Sequence, residues 1–207
     1  MTDNKRLLEI SDLDYAADLM GRSFQNDAFI EYVMPNIEKR SSLLPKFFRI
    51  LLKYSIQNQQ AYGVGYPLAG VSIWCLPHQK RIDITGLVRA GLLKLLFQGF
   101  LVPFFRAIKV FRIIGITQEK YAHENDYYLS MLAVSPESQG HGFASKLVRP
   151  FLEQADAQSA GVYVETMTLS DVRMYEHFGF QRMEEHEVRR GFSIWALHRS
   201  ATPQKVH

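Results

Sequence analysis

The chain has 207 residues, of which 47% are hydrophobic and 22% are charged, and its formal net charge is +3. These values are ordinary for one soluble globular domain with a substantial core. The positive charge suits an anionic ligand, but no Lys/Arg cluster carries a nucleic-acid-binding motif, so we expect no nucleic-acid partner.

The cysteine content and the two termini bear on location and domain organisation. Cys75 is the single cysteine, which excludes an internal disulfide and makes a reducing compartment the default. The first six residues are polar and lack the apolar core of a signal peptide. We therefore expect a cytoplasmic protein with one domain over 1–200 and a disordered tail over 201–207.

The first third of the chain predicts a strand, two helices and a hairpin. Apolar residues at 7–10 indicate a short strand, and Ser11 is placed to cap a helix that continues to Phe24. A second helix is predicted over 37–55, where Pro45 either kinks the helix or marks its start. Strands are predicted at about 58–62 and 68–76, around a turn at 63–67.

Residues 78–122 predict an additional helical segment. From 84 to 116 the chain is rich in Leu, Phe, Ile and Val and has no acidic residue. Gly99 and Pro103 are expected to divide it into two or more short helices. Its longest uncharged run is shorter than a membrane span. We favour an amphipathic layer that covers the sheet over membrane attachment, and this layer could also cover an acceptor pocket.

Residues 127–148 are the most informative stretch. An apolar run at 127–134 predicts a strand buried on both faces, and helical spacing begins at 143. Between them lie Gln139, Gly142 and Ala144, in the order Gln-x-x-Gly-x-Ala. The first N–H groups of a helix point outward, and glycine lets an anion approach them, so a phosphate-binding loop is predicted. The P-loop and Rossmann patterns are both absent.

The remaining chain predicts a buried strand at 161–166, a short helix from Ser170-Asp171 to Gly179, and a closing hairpin over 180–187 and 192–197. Pro150 falls inside the helix that follows the loop, and a kink is expected there.

The loop resembles the pyrophosphate loop of the GNAT superfamily of acyl-CoA-dependent N-acetyltransferases, whose pattern is [Arg/Gln]-x-x-Gly-x-[Gly/Ala]. The resemblance is strongest over 127–180. It implies an α/β (mixed α+β) fold, in which a twisted, mostly antiparallel sheet of about seven strands is flanked by helices. The segment at 78–122 is then an insertion. This segment and Phe24–Asp27 are similar to those of a puromycin-acetyltransferase-like subgroup.

The same resemblance implies that acetyl-CoA is the co-substrate. Its pantetheine arm would pair with strand backbone in a gap between the central strand and the next one. Its pyrophosphate would meet the loop amides. The implied cofactor-binding residues are Leu132, Ala133, Val134, Gln139, Gly140, His141, Gly142, Phe143, Ala144 and Ser145.

Tyr175 lies in a stretch that resembles the closing motif of the family, where a tyrosine protonates the departing thiolate. A phenol can protonate a thiolate of similar basicity, although a packed aromatic residue is the alternative. Where the family often has Asn as a cofactor contact, this chain has Ser170, whose hydroxyl could supply that hydrogen bond to the cofactor. Asp171 follows it and could be only a helix cap.

A base is also required, because only a neutral amine attacks a thioester. Glu165 is the first candidate, and His123, Glu124 and Asp126 are alternatives. The residues placed to line the acceptor side are Phe24, Asp27, Tyr128 and His123.

The seven histidines and one cysteine show no metal-ligand spacing, so no metal is expected. The predicted function is acetyl transfer from acetyl-CoA to a small-molecule amine in a ternary complex, by a monomer or homodimer. The alternative is a non-catalytic acyl-CoA-binding or regulatory module on the same fold.

Overall fold

The computed structural model describes residues 5–202. Its centre is a seven-stranded sheet in the order β1-β2-β3-β4-β5-β7-β6. Every neighbouring pair is antiparallel except β4 and β5, which are parallel. The strands are β1 Arg6–Leu7, β2 Ala61–Val64, β3 Gly70–Cys75, β4 Tyr127–Val134, β5 Val162–Thr166, β6 Gln181–Arg189 and β7 Phe192–Arg199.

Helices cover both faces of the sheet. They are α1 Leu13–Ser23, α2 Ala28–Val33, α3 Ile37–Gln57, α4 Ile84–Ala90, α5 Leu92–Leu95, α6 Leu101–Tyr121, α7 Phe143–Ala157 and α8 Leu169–His177. The amino-terminal helices share a core with Val71 and Ile73 of β3. Helices α7 and α8 share a second core with Trp74 and Leu129, on the opposite face. The predicted fold class is thereby confirmed.

The register of β4 changes at Ser130. Ile73 pairs with Met131 but the next residue, Trp74, pairs with Leu129, so Ser130 is an extra residue without a partner on β3. A bulge of this kind bends a strand and increases its twist. Strand β4 pairs with β5 only over its first three residues, Tyr127 to Leu129. Beyond the bulge, β4 and β5 separate and leave a gap in the sheet.

Several predicted elements have different bounds in the structure. Helix α1 begins at Leu13 behind a 3₁₀ turn, and the capping box there joins Glu9 and Asp12, so the prediction of Ser11 as the cap is wrong. Helix α2 was not predicted. Pro45 and Pro150 both lie inside helices that continue past them. The two strands of the first hairpin begin two to three residues later than predicted because the turn lies at 65–69.

The insertion is helical, as predicted. A π-helical segment, Leu96–Phe100, connects α5 to α6, and Gly99 breaks its helical geometry with a φ of 104°. Pro103, in contrast, lies in the first turn of α6 and does not divide it. An early proline is tolerated because the first N–H groups of a helix have no partner inside it.

The predicted disordered tail, 201–207, falls mainly outside the described residues. Its first two residues are described, and the Thr202 N–H donates a hydrogen bond of 2.7 Å to Asp156 Oδ1.

Candidate active site

The gap between β4 and β5 exposes strand backbone on one side of β4. The Ser135 N–H donates to the Ala69 carbonyl, and Gly70 pairs with Val134 in the same register. Hydrogen-bonded pairs alternate in an antiparallel ladder. Ala133 therefore directs its N–H and C=O toward β3, whereas Leu132 and Val134 direct theirs toward the gap. Of the three residues predicted to pair with pantetheine, two face the space where it would lie.

The carboxyl end of β4 leads directly to the glycine loop. Gly140 and Gly142 have φ values of 78° and 79°, and a Cβ at either position would meet nothing within 4 Å. Gly142 is the residue before the first turn of α7, whose free N–H groups face outward. The Lys146 ammonium lies 4.9 Å from the centre of the Phe143 ring and adds positive charge there. The loop is thus exposed and positively polarised, which suits a phosphate group.

Two side chains of the loop contact backbone carbonyl oxygens of the same segment and so hold its conformation. Gln139 Nε2 lies 3.5 Å from the Val134 carbonyl oxygen, and His141 Nδ1 lies 3.3 Å from the Ser138 carbonyl oxygen. The Ser23 hydroxyl also lies 3.0 Å from the Val134 carbonyl oxygen, so α1 supports the end of β4. These contacts fix the backbone, and the loop amides remain directed outward.

Tyr175 is buried below the gap. Its side chain is 5% exposed and its ring packs edge-on against Phe180, with centroids 5.5 Å apart. It belongs to the same apolar cluster as Leu132 and Val164, which lie on the two strands that separate. Burial, with a smaller contribution from Asp171, raises the pKa of the Tyr175 phenol well above its ordinary value. Its hydroxyl makes no hydrogen bond to residues 5–202.

Ser170 and Asp171 lie one turn before Tyr175, but neither caps α8. The helix begins at Leu169, and its cap is Thr168, whose hydroxyl accepts from the Asp171 N–H. The Asp171 carboxylate accepts from the hydroxyls of Thr168 and Thr166 at 2.6 and 3.1 Å. The interpretation of Asp171 as a cap is therefore wrong. Ser170 Oγ lies 3.1 Å from Thr168 Oγ1 and stays exposed.

Glu165 lies on β5 on the face opposite Val164. Burial raises the pKa of its carboxyl from 4.5 to about 7, although the nearby polar groups of Tyr128, Gln118 and Tyr163 act in the opposite direction. These groups approach the carboxylate without completing a hydrogen bond, and Glu165 Oε1 and the Tyr163 hydroxyl are both buried without a partner among the described residues. A buried, unpaired carboxylate oxygen is costly, and it is relieved by any N–H donor that reaches it.

Arg81 and Gln118 complete the surroundings of Glu165, and sequence reasoning missed both. Arg81 Nη1 donates to Gln118 Oε1 at 2.7 Å, and the Arg81 guanidinium lies 5.3 Å from the centre of the Tyr128 ring. Arg81 follows β3 and Gln118 is on α6, so they meet Glu165 only in the folded chain. No local sequence signal marks them.

His123 and Asp126 lie at the opposite end of β4 from the glycine loop. Asp126 Oδ2 accepts from the His123 N–H at 2.8 Å and lies 2.9 Å from His198 Nε2. The ring nitrogens of both histidines and a carboxylate oxygen of Asp126 lie within 4.8 Å of one another, which is close enough to consider a metal. The hydrogen bonds of Asp126 account for this arrangement without one. The structure thus separates His123, Glu124 and Asp126 from the gap.

The acceptor-side residues have varied surroundings. Phe24 packs against Phe48 in the core, with ring centroids 5.2 Å apart. Asp27 caps α2 through the N–H groups of Phe29 and Ile30, and burial raises the pKa of its carboxyl to about 6. It is half-buried. Tyr128 alone among these residues lies beside Glu165, and burial raises its pKa.

Two comparisons with known sequences both match acetyltransferases. Residues 104–198 match the family model described as acetyltransferase (GNAT) domain. An uncharacterized N-acetyltransferase of Schizosaccharomyces pombe is 26% identical over 179 residues, covering 84% of this chain and 72% of its own length.

Solved structures share the fold at lower sequence identity. A histone acetyltransferase HPA2 and related acetyltransferase from Corynebacterium glutamicum covers 100% of both chains, with a TM-score of 0.61 and 16% identity. Arylalkylamine N-acetyltransferase 2 from Aedes aegypti has a TM-score of 0.64 at 13% identity, and the match covers 96% of this chain and 99% of that one. The family model over residues 104–198, the N-acetyltransferase relative and the shared fold confirm the resemblance to the GNAT superfamily of acetyltransferases.

Proposed function

We propose that the protein transfers an acetyl group from acetyl-CoA to the amine of a small molecule, in the cytoplasm, without a covalent enzyme intermediate. One observation carries this proposal: the N–H groups at the start of α7, which have no partner inside the helix, lie close in the chain to the end of β4, where the Leu132 backbone and the Val134 N–H face the gap. A ligand with a pyrophosphate joined to an extended, amide-containing arm matches both features.

The residues around the gap suit the two proton transfers that the reaction requires. The amine nitrogen attacks the thioester carbonyl carbon, a C–N bond forms and the C–S bond breaks. Glu165 takes the proton that the amine loses, which its pKa of about 7 permits near neutral pH. Tyr175 gives its proton to the departing thiolate. Burial raises the pKa of the phenol, and the same desolvation raises the basicity of a thiolate placed beside it. The pKa values of the proton donor and of the thiol that forms therefore remain similar.

Calorimetric titration of acetyl-CoA tests the binding part of this proposal, with Gly142→Ala as the variant. Alanine at a φ of 79° is strained by roughly 1–2 kcal/mol, and its methyl group would project where an anion is held. We expect affinity to fall at least about tenfold, since closely fitted anion–amide contacts are worth ~1.4 kcal/mol or more. Gly191→Ala is the matched control, because Gly191 has the same φ in the β6–β7 turn and nothing within 4 Å.

The control should lose similar stability and keep its affinity for acetyl-CoA. Absence of binding by folded wild-type protein would contradict the proposal. Equal loss of affinity in both variants would show that the effect is general strain and not the loop.

Turnover is tested separately with Tyr175→Phe, by following thiol release with a panel of amines. We expect kcat to fall by about 10²-fold or more while acetyl-CoA affinity stays unchanged. Tyr127→Phe is the control, because it removes another buried phenol whose hydroxyl bonds to Gln158 Oε1 at 2.9 Å, away from the gap. Binding without thiol release from any amine would favour the non-catalytic acyl-CoA-binding module.

A further inference from the structure

Helix α6 and the turn before it expose a set of large apolar side chains. We call this set the α6 surface; it consists of Phe97, Leu101, Val102, Phe105 and Ile108. Phe97 is 91% exposed and Phe105 is 62% exposed. Leu101, Phe105 and Ile108 follow one another at helical spacing and so share one face of the helix. Single exposed apolar residues are common, but a contiguous group marks an interaction site.

The fold does not require this face to be apolar. The opposite face of α6 packs into the protein through Pro103, Ala107 and Val110, which are all buried. Core formation therefore explains the buried face only. The amphipathic pattern predicts a helical layer that covers the sheet, and the structure shows that one side of that layer faces outward.

Cations without ion-pair partners surround the α6 surface. Lys94, Arg106, Lys109 and Arg112 make no ion pair with any residue of the described chain, and no acidic residue occurs between Asp83 and Glu119. Within residues 5–202, the Lys109 ammonium donates a hydrogen bond only to the Val188 carbonyl oxygen, at 2.9 Å. Glu31 lines a cavity together with Arg106, but its carboxylate pairs with Arg40 at 3.1 Å. The region therefore combines apolar side chains with uncompensated positive charge.

We propose that the α6 surface binds anionic lipid bilayers, with α6 lying in the plane of the membrane interface. Apolar side chains enter the boundary between headgroups and acyl chains, and the flanking Lys and Arg side chains meet anionic headgroups. No helix within residues 5–202 is long and apolar enough to cross a bilayer. A second copy of the chain fits less well, because twofold pairing of this face would bring the same cations together.

Vesicle flotation tests the proposal with full-length protein and phosphatidylcholine vesicles, with or without phosphatidylglycerol. We expect flotation with the anionic vesicles only, weakening as salt rises. The double variant Phe97→Ser/Phe105→Ser should weaken binding at least about tenfold. Tyr66→Ser is its control, because Tyr66 is also 91% exposed but lies in the β2–β3 turn.

The charge contribution is tested with Arg106→Gln/Arg112→Gln, for which we expect a loss of about 25-fold, or roughly fivefold for each cation removed. Arg149→Gln/Arg173→Gln is the control, because both arginines are exposed on α7 and α8, whose core lies on the opposite face of the sheet. Three outcomes overturn the proposal: no flotation at low salt, α6 variants that bind as well as the wild type, or a concentration-dependent dimer that Phe97→Ser/Phe105→Ser abolishes. The last outcome would assign the surface to a second copy of the chain.

Discussion

At the scale of the residue, ionisation of Glu165 has two opposite effects. It provides the base of the proposed reaction, and it lowers the stability of the folded chain. Its carboxyl has a pKa of about 7 in the folded chain, against an ordinary value of 4.5, because it is buried. Between these two values the folded state holds a proton that the unfolded state releases. The folded state is therefore favoured below the unfolded pKa, and this stability is lost as the pH rises through about 7. A base that is ionised at neutral pH is thus maintained at the expense of stability.

The variant Glu165→Gln separates these two effects. We expect kcat/KM to fall by about 10²–10⁴-fold and to lose its rise through pH ~7. We also expect a higher thermal midpoint than the wild type near pH ~8 and an equal one near pH ~4, since only the ionised carboxylate is penalised. Glu153→Gln, on the exposed side of α7, should change neither property. A lower midpoint for Glu165→Gln at the higher pH would identify the carboxylate as a structural anion instead.

Sequence reasoning finds individual site residues where the signal is local. The two glycines and the start of α7 are adjacent in the chain, so the loop could be predicted from residues 127–148. The environment of Glu165 could not, because Arg81, Gln118 and Tyr128 come from three separate segments. His123 and Asp126 were candidate bases by proximity in sequence to β4, but β4 is a full strand long and places them at its other end.

At the scale of the element, Gly161 joins three strands at the end of the sheet opposite the loop. Its carbonyl accepts from the Tyr127 N–H at 2.9 Å, which begins the parallel pairing of β4 with β5. A Cβ at this position would overlap Asp126 Oδ1 and come within 2.6 Å of His198 Nε2. The absence of a side chain therefore allows the Asp126–His198 pair to connect β4 with β7.

We expect Gly161→Ala to lower the free energy of unfolding by about 1–3 kcal/mol, because an inserted methyl group forces a packed site to rearrange. Gly115→Ala is a control of opposite sign: Gly115 is helical in α6 with nothing within 4 Å, so alanine should stabilise by up to about 1 kcal/mol. Urea denaturation measures both. Acetyl-CoA affinity should be unchanged in Gly161→Ala, and its loss would show that this junction positions the site.

The sequence predicts whole elements well where a hydrophobic period ends at a clear helix or strand boundary. It predicts them less well where tertiary contacts determine burial or length. The apolar run predicts a strand β4 buried on both faces, but five of its eight residues are only partly buried, because the gap interrupts the sheet beside it. Periodicity revealed two sides of α6 but could not say that one would remain exposed. Helix α2 was missed because six residues are too short for a helical period to stand out.

At the scale of the whole molecule, the gap divides the sheet into two parts. Strands β1 to β4 form one part, and β5, β7 and β6 form the other. Only three residue pairs, from Tyr127–Val162 to Leu129–Val164, connect them directly. The apolar cluster around Tyr175 connects them on one face, where it holds residues from both parts. A ligand that pairs with the open edge of β4 would complete the sheet and couple the two parts.

Amide hydrogen exchange observed by NMR provides a test within one strand. The N–H groups of Leu132 and Val134 point into the gap, whereas that of Ala133 pairs with β3. Acetyl-CoA should slow exchange at Leu132 and Val134 by at least about tenfold beyond its effect on Ala133, because a strand-like partner protects only the amides that face it. Ligand at 100 times its Kd stabilises the folded state by mass action, and it slows any exchange that requires global unfolding by about 100-fold. The Ala133 amide measures this general effect. Equal slowing at all three amides would mean that acetyl-CoA stabilises the fold without pairing with β4, and the two-part sheet would then be closed by some other contact.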